Sequence, residues 1–235
     1  MSTRFTITND APDEVDRSAH YVSPVYVTLL SATTTITNLC LGAAAMGAIV
    51  FIHSFALSST MKQHVYLCGI GYVILMAQAI QSLNPHSGWA RLVRYQDRRV
   101  VHWMLQIVAS ITVVVGSVIR MMDVPNNFRT THGILGLVSL ILTILSMVGG
   151  IVNAYSSKLN INPSYLKIAH SCLGSLTLSS AFLCLCFAFN STFRVGLGDQ
   201  NADLAISVTV IALVGSLASP CIGVVRRIFK NFRSN

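Results

Sequence analysis

The chain has 235 residues, 53% of them apolar and only 10% charged, with a mean hydropathy of +0.63, whereas a soluble domain carries about 25% charged residues. Repeated uncharged runs of about 20 residues identify one multi-span membrane domain rather than soluble domains. The net charge of +8 does not mark a nucleic-acid binder, because the basic residues sit in loops and at the C-terminus instead of on a soluble basic module.

Residues 1–20 are polar and lack a basic region ahead of a short apolar run, so a cytoplasmic disordered tail is expected there rather than a cleaved signal peptide. The transmembrane domain is expected over 21–230, with a short cytoplasmic tail at 231–235. The first span is predicted from Val25 to Ile52, with Pro24 at its start. Its threonine-rich middle is tolerable in lipid if each hydroxyl bonds a carbonyl one turn back, and it is expected to pack outside the bundle. Further spans are predicted at 64–83, 100–119, 131–154, 168–189 and 204–225. Asn84-Pro85 stops the second, MMDVPNNFRT links the third to the fourth, and NSTFRVGLGDQNAD reads as a polar link before the sixth.

Lys and Arg divide unevenly between alternate sides, twelve against four. The richer side holds both termini, which places the N- and C-termini in the cytoplasm, as an even number of spans requires. The sequon Asn190-Ser191-Thr192 falls on the outer side but abuts a span. Six cysteines lie in apolar stretches without a CxxC spacing, and read as small apolar residues.

Four histidines stand out. His64, His102, His132 and His170 each open a long apolar stretch, at spacings of 38, 30 and 38 residues. Successive spans run in opposite directions, so His64 pairs with His132 at the outer face and His102 with His170 at the inner face. A lone histidine at a helix end is ordinarily an interfacial residue, but four in corresponding positions form a constellation, and intramembrane ionisable groups mark function. Neutral imidazole is a common metal ligand. Structural zinc takes four ligands around one ion. Two imidazoles per site instead suit a haem, whose macrocycle supplies the equatorial nitrogens. Mostly small residues follow on the same faces: Cys68, Gln106, Gly136 and Gly174 one turn on, Gly71, Ala109, Ser139 and Thr177 two turns on. They make room for a flat ring or for a helix–helix seam. Haem propionates would need cationic partners. Arg98, Arg99 and Lys167 lie close to the inner pair, Lys62 and Arg129 to the outer. Helical rise across the hydrocarbon core separates two such irons by on the order of 20 Å.

With these features the sequence resembles the cytochrome b561 family, in particular its short branch consisting of the b561 domain alone. The resemblance covers residues 25–230. It rests on His64, His102-Trp103 with Leu105-Gln106, His132-Gly133 with Gly136-Leu137, and Leu166-Lys167 before His170 with Gly174 after it. It implies an all-α membrane protein of six transmembrane helices, often dimeric, whose core four-helix bundle of spans two to five holds two haem b groups. By position, His64 and His132 bind the outer iron, His102 and His170 the inner. Such proteins carry electrons across the lipid bilayer from cytoplasmic ascorbate to monodehydroascorbate or ferric iron. Arg91, Arg94, Arg98, Arg99 and Lys167 are the candidate contacts for ascorbate or the propionates. The short branch points to endoplasmic reticulum or vesicle membranes ahead of the plasma membrane. The chain departs from the family where His64-Val65 replaces His-Pro and where SLNPHSGWARLVR and RTTHGILG stand in place of the substrate motifs. A second reading is a metal-ion or solute transporter using the same histidines as transient ligands. It predicts paired acidic residues within spans two to six, which contain none. A third, a scaffold with decayed sites, predicts a missing histidine.

Overall fold

The computed structural model describes residues 23–84, 88–156, 158 and 162–233; most of the two expected tails lies outside them. Six helices are long and apolar enough to cross a membrane. They are α1 (Pro24–Ser54), α2 (Ser59–Gln81), α3 (Tyr95–Asp123), α4 (Thr131–Ala154), α5 (Pro163–Leu197) and α6 (Asp199–Arg233). A short 3₁₀ turn, Trp89–Leu92, interrupts the α2–α3 link.

The helix starts follow from local chemistry. Pro24 and Pro163 occupy first-turn positions, where a missing N–H costs nothing. Ser58 caps α2 by accepting from the Met61 N–H at 3.2 Å, so the helix begins before the apolar run and His64 lies in its second turn. Thr130 caps α4 in the same way, accepting from the Gly133 N–H at 3.1 Å. The threonines of α1 bond backwards: the hydroxyls of Thr28, Thr33, Thr34, Thr35 and Thr37 donate to carbonyls four residues earlier at 2.8–3.0 Å.

The first part of the stretch expected as a polar link, from Asn190, is helical instead. A π-helical turn, Phe189–Phe193, and one further turn carry α5 to Leu197, and Gly198, with φ 78°, makes the break. Arg194 explains the extension. Its guanidinium donates to Asn190 at 3.1 Å one turn back, and beyond the break to Asp199 at 2.9 Å and to Asp203. The sequon asparagine is therefore held inside a helix.

α2 packs along α3, α3 against α4, α4 along α5, and α5 closes on the middle of α2. These four helices form a ring in chain order. α1 and α6 pack on each other and flank the ring on the α2 and α5 side. The core fills with Leu41, Tyr72, Val113, Leu178 and Phe182. A second cluster stacks Phe51 on Phe193, ring centroids 3.9 Å apart. Apolar side chains such as Val108, Ile111, Ile141, Ile144, Leu176 and Val214 cover the outside, the inverse of a soluble surface.

Candidate functional site

The four histidines project into the ring as two facing pairs. His64 of α2 faces His132 of α4, with ring centroids 6.2 Å apart and planes at 90°. His102 of α3 faces His170 of α5 at 6.4 Å and 88°. Each pair spans one diagonal of the ring, because neighbours in the ring are consecutive helices. The pairs also lie at opposite ends. His102 reaches the Ala79 carbonyl, fifteen residues along α2 from His64, a rise of about 22 Å.

Three rings are anchored by a backbone carbonyl through Nδ1. His64 Nδ1 donates to Gly116 O at 3.0 Å, His132 Nδ1 to Cys184 O at 2.9 Å and His102 Nδ1 to Ala79 O at 2.7 Å. A carbonyl cannot donate, so each of these nitrogens carries the proton and each Nε2 is left with its lone pair. That is the second-shell arrangement that orients a metal-ligating imidazole. His170 differs. Among the described residues its buried Nδ1 has no hydrogen-bond partner, and the ring lies against Gly149 and Gly150.

The spacing accommodates one metal ion between two rings. Two metal–imidazole bonds of about 2.0 Å each, plus the distance from nitrogen to ring centre at either end, come to about 6 Å. Among the described residues no cluster of three or more His, Cys, Asp or Glu is available to hold a metal ion. An ion between these pairs therefore needs its remaining ligands from a molecule that brings its own, such as a porphyrin. At the His64–His132 end a cavity of about 840 Å³ opens between the helices. It has the size of pockets that enclose a small organic ligand, about 300–1,000 Å³. Its walls are apolar deep inside and polar at the mouth, where Arg120, Asn126, Asn127, Arg129 and Asn190 gather.

The other candidates fall as follows. Arg129 lines this cavity, while Lys62 is half-buried two residues before His64. Arg91, Arg94 and Arg99 are exposed in the α2–α3 link and first turns of α3. Arg94 is paired with Asp97 at 2.8 Å. Arg98 is half-buried, and its Nε donates to the Ala90 and Val93 carbonyls at 3.1 Å, pinning the link to α3. Lys167 is half-buried one turn before His170.

The small residues divide between the two uses expected of them. A Cβ on Gly71 would overlap Val113 Cγ1 and stand 3.2 Å from the Ala109 carbonyl, so Gly71 and Ala109 serve the α2–α3 seam. Gly136 lines the cavity, with Cys184 Sγ 3.6 Å from where its Cβ would be. Two cavity residues escaped the sequence reading. Arg120 was legible only as a span end, although the direction of α3 puts it at the His64 end. Cys184, read as apolar filler, stands beside His132, where only long-range packing brings it, whereas Cys68 was already placed on the face of His64 by spacing.

Comparison with known proteins gives a consistent picture. The sequence model of eukaryotic cytochrome b561 matches residues 63–194, more than half the chain and the part holding all four histidines. Transmembrane reductase CYB561D2 of Bos taurus is 25% identical over 150 residues, 61% of this chain and 68% of that protein. Its counterpart from Mus musculus is 27% identical over 172 residues, 69% and 76% respectively.

Proposed function

This chain belongs to the eukaryotic cytochrome b561 family, and from that premise we propose that it moves electrons across a membrane from cytoplasmic ascorbate to monodehydroascorbate or ferric iron on the other side. Membership implies haem b and the work of a transmembrane reductase. The finer reading assigns two haem b groups per chain, one held by His64 and His132, the other by His102 and His170. The observation that carries it is the geometry of the two pairs, 6.2 and 6.4 Å between ring centroids at opposite ends of one helical ring. A bound haem supplies one-electron exchange at its iron.

The protein's own residues do the rest. The Gly116, Cys184 and Ala79 carbonyls fix three imidazoles in the tautomer that presents Nε2 to a metal. His64 with His132, and His102 with His170, would hold the two groups, and the chemistry supplied there would be electron exchange rather than oxygen activation. Arg129 at the cavity mouth is placed to meet propionates or an anionic acceptor, while Arg120 beside it is paired with Asp123 at 2.6 Å. At the other end Arg94 and Arg98 are engaged within the protein, so Arg91, Arg99 and Lys167 are the stronger contacts for anionic ascorbate. The positive-inside count puts that end, with both termini, in the cytoplasm. The reading is completed by a dimer in endoplasmic reticulum or vesicle membranes, as the family resemblance implies.

The test is a dithionite-reduced minus oxidised spectrum of purified protein from haem-replete cells, with haem counted per chain. Two haems are expected, with His64→Ala and His170→Ala each removing about one. A colourless wild-type protein ends the proposal. Reduction by ascorbate in place of dithionite tests the donor.

A further inference from the structure

We propose that Cys68 and Cys184 are positioning residues for the His64–His132 pair, each sulfur sharing one ring's Nδ1–H with a backbone carbonyl and so fixing that ring's rotation. The inference rests on the haem reading above. Cys184 Sγ lies 3.2 Å from His132 Nδ1, beside the Cys184 carbonyl at 2.9 Å. Cys68 Sγ lies 3.6 Å from His64 Nδ1, beside the Gly116 carbonyl at 3.0 Å. The two thiols come from different helices, one on the same helix as its histidine and one on the neighbouring helix, yet they reach the same atom of the two rings.

Each thiol hydrogen has another acceptor, which leaves the sulfur lone pairs for the imidazoles. Cys184 Sγ donates to the His132 carbonyl at 3.2 Å, so residue and histidine hold each other in both directions. Cys68 Sγ donates to the Val113 carbonyl at 3.9 Å, with Ser117 Oγ at 3.8 Å. The other pair is built differently. His102 Nδ1 has a carbonyl at 2.7 Å, and among the described residues His170 Nδ1 has no hydrogen-bond partner.

An acceptor on Nδ1–H makes the opposite nitrogen a better donor to iron, which stabilises the ferric state. Removing a sulfur weakens that donation and raises the midpoint potential of the haem concerned. It also frees the ring to turn, and the low-spin ferric EPR signal responds to the angle between the two imidazole planes.

The experiment uses the full chain, purified with haem bound. Cys68→Ala, Cys184→Ala, the double variant and Cys184→Ser are compared with wild type, and Cys221→Ala, exposed on α6, serves as control. Haem per chain, potentiometric titration and EPR are read together. The expected result is full haem content, an upward shift of one midpoint potential, and a changed EPR signal belonging to the haem that His64→Ala removes. Serine, which restores an acceptor, brings both back toward wild type, and Cys221→Ala changes nothing. A double variant with two haems, both potentials and the EPR spectrum at wild-type values overturns the proposal. If alanine at Cys184 prevents folding, Cys68→Ala decides alone: one raised midpoint potential and a changed EPR signal are expected, and both at wild-type values overturn the proposal. Wild-type protein without haem would instead remove the reading beneath it.

Discussion

His170 shows how much rests on what a side chain does not meet. Its ring has no Nδ1 anchor, so its position depends on the shape of the Gly149-Gly150 surface. A Cβ at Gly150 would come within 3.3 Å of His170 Cε1, and one at Gly149 within 3.7 Å of Nδ1. Gly150→Val is therefore expected to displace the ring and remove about one haem per chain, with Gly150→Ala shifting one midpoint potential and leaving the count intact. Gly47→Ala, where a Cβ meets nothing within 4 Å, is the silent comparison. Gly71 fails for a different reason. Alanine there overlaps Val113 in the α2–α3 seam, an overpacking that costs about 1–3 kcal/mol. A lowered Tm in detergent is the measurement, and an unchanged Tm would show that the seam can open.

At the level of whole helices, α6 carries the clearest irregularity. Pro220 lies inside it and has no N–H to give the Ser216 carbonyl four residues back. Beside that gap both polar atoms of the Gln81 amide and the Ser216 hydroxyl are buried without protein partners. They share a cavity of about 20 Å³ with Thr34, Thr37 and Ser219. One water needs about 10–15 Å³ and two to four polar partners. An ordered water linking α1, α2 and α6 is expected in any map that resolves internal solvent, and it should disappear in Gln81→Leu. A dry cavity in the wild type would contradict the expectation. α2 and α5 are irregular too, with π-helical turns at Gly69–Met76 and Phe189–Phe193. Both turns contribute walls to the larger cavity, in keeping with the tendency of such turns to lie at functional sites.

Across the whole molecule, charge is polarised along the bundle axis. The α2–α3 link, the start of α5 and the end of α6 lie at one end, where Ser164 bonds Asn231 at 3.0 Å and Arg227 reaches Ser171 at 3.4 Å. That end carries Arg91, Arg94, Arg98, Arg99, Lys167, Arg226 and Arg227. Such a field raises the local concentration of an anionic donor and is screened by salt over a Debye length of about 8–10 Å. Stopped-flow reduction by ascorbate is expected to slow as ionic strength rises. Neutralising Arg91, Arg99 and Lys167 together should slow it at low salt and flatten the salt dependence, with haem content unchanged. A rate indifferent to salt would place donor recognition elsewhere.

The sequence by itself determined the six spans, because the bilayer imposes its thickness on every crossing segment and hydropathy is read within one segment at a time. It also determined which histidines share an end, since alternating direction follows from chain order. The number of spans was legible for that reason, whereas the bundle of α2 to α5 was expected only from the resemblance to a known family. Helix ends were less so: Ser58 starts α2 within a polar stretch, and Arg194 draws α5 through one. Only the tertiary structure decided what surrounds the rings. Gly116 anchors His64 and Cys184 anchors His132, each across fifty-two residues of chain, and no periodicity encodes contacts at that range. The division of small residues between seam and cavity was likewise settled by how closely α2 approaches α3, because a glycine at a helix contact and a glycine beside a ligand are the same letter.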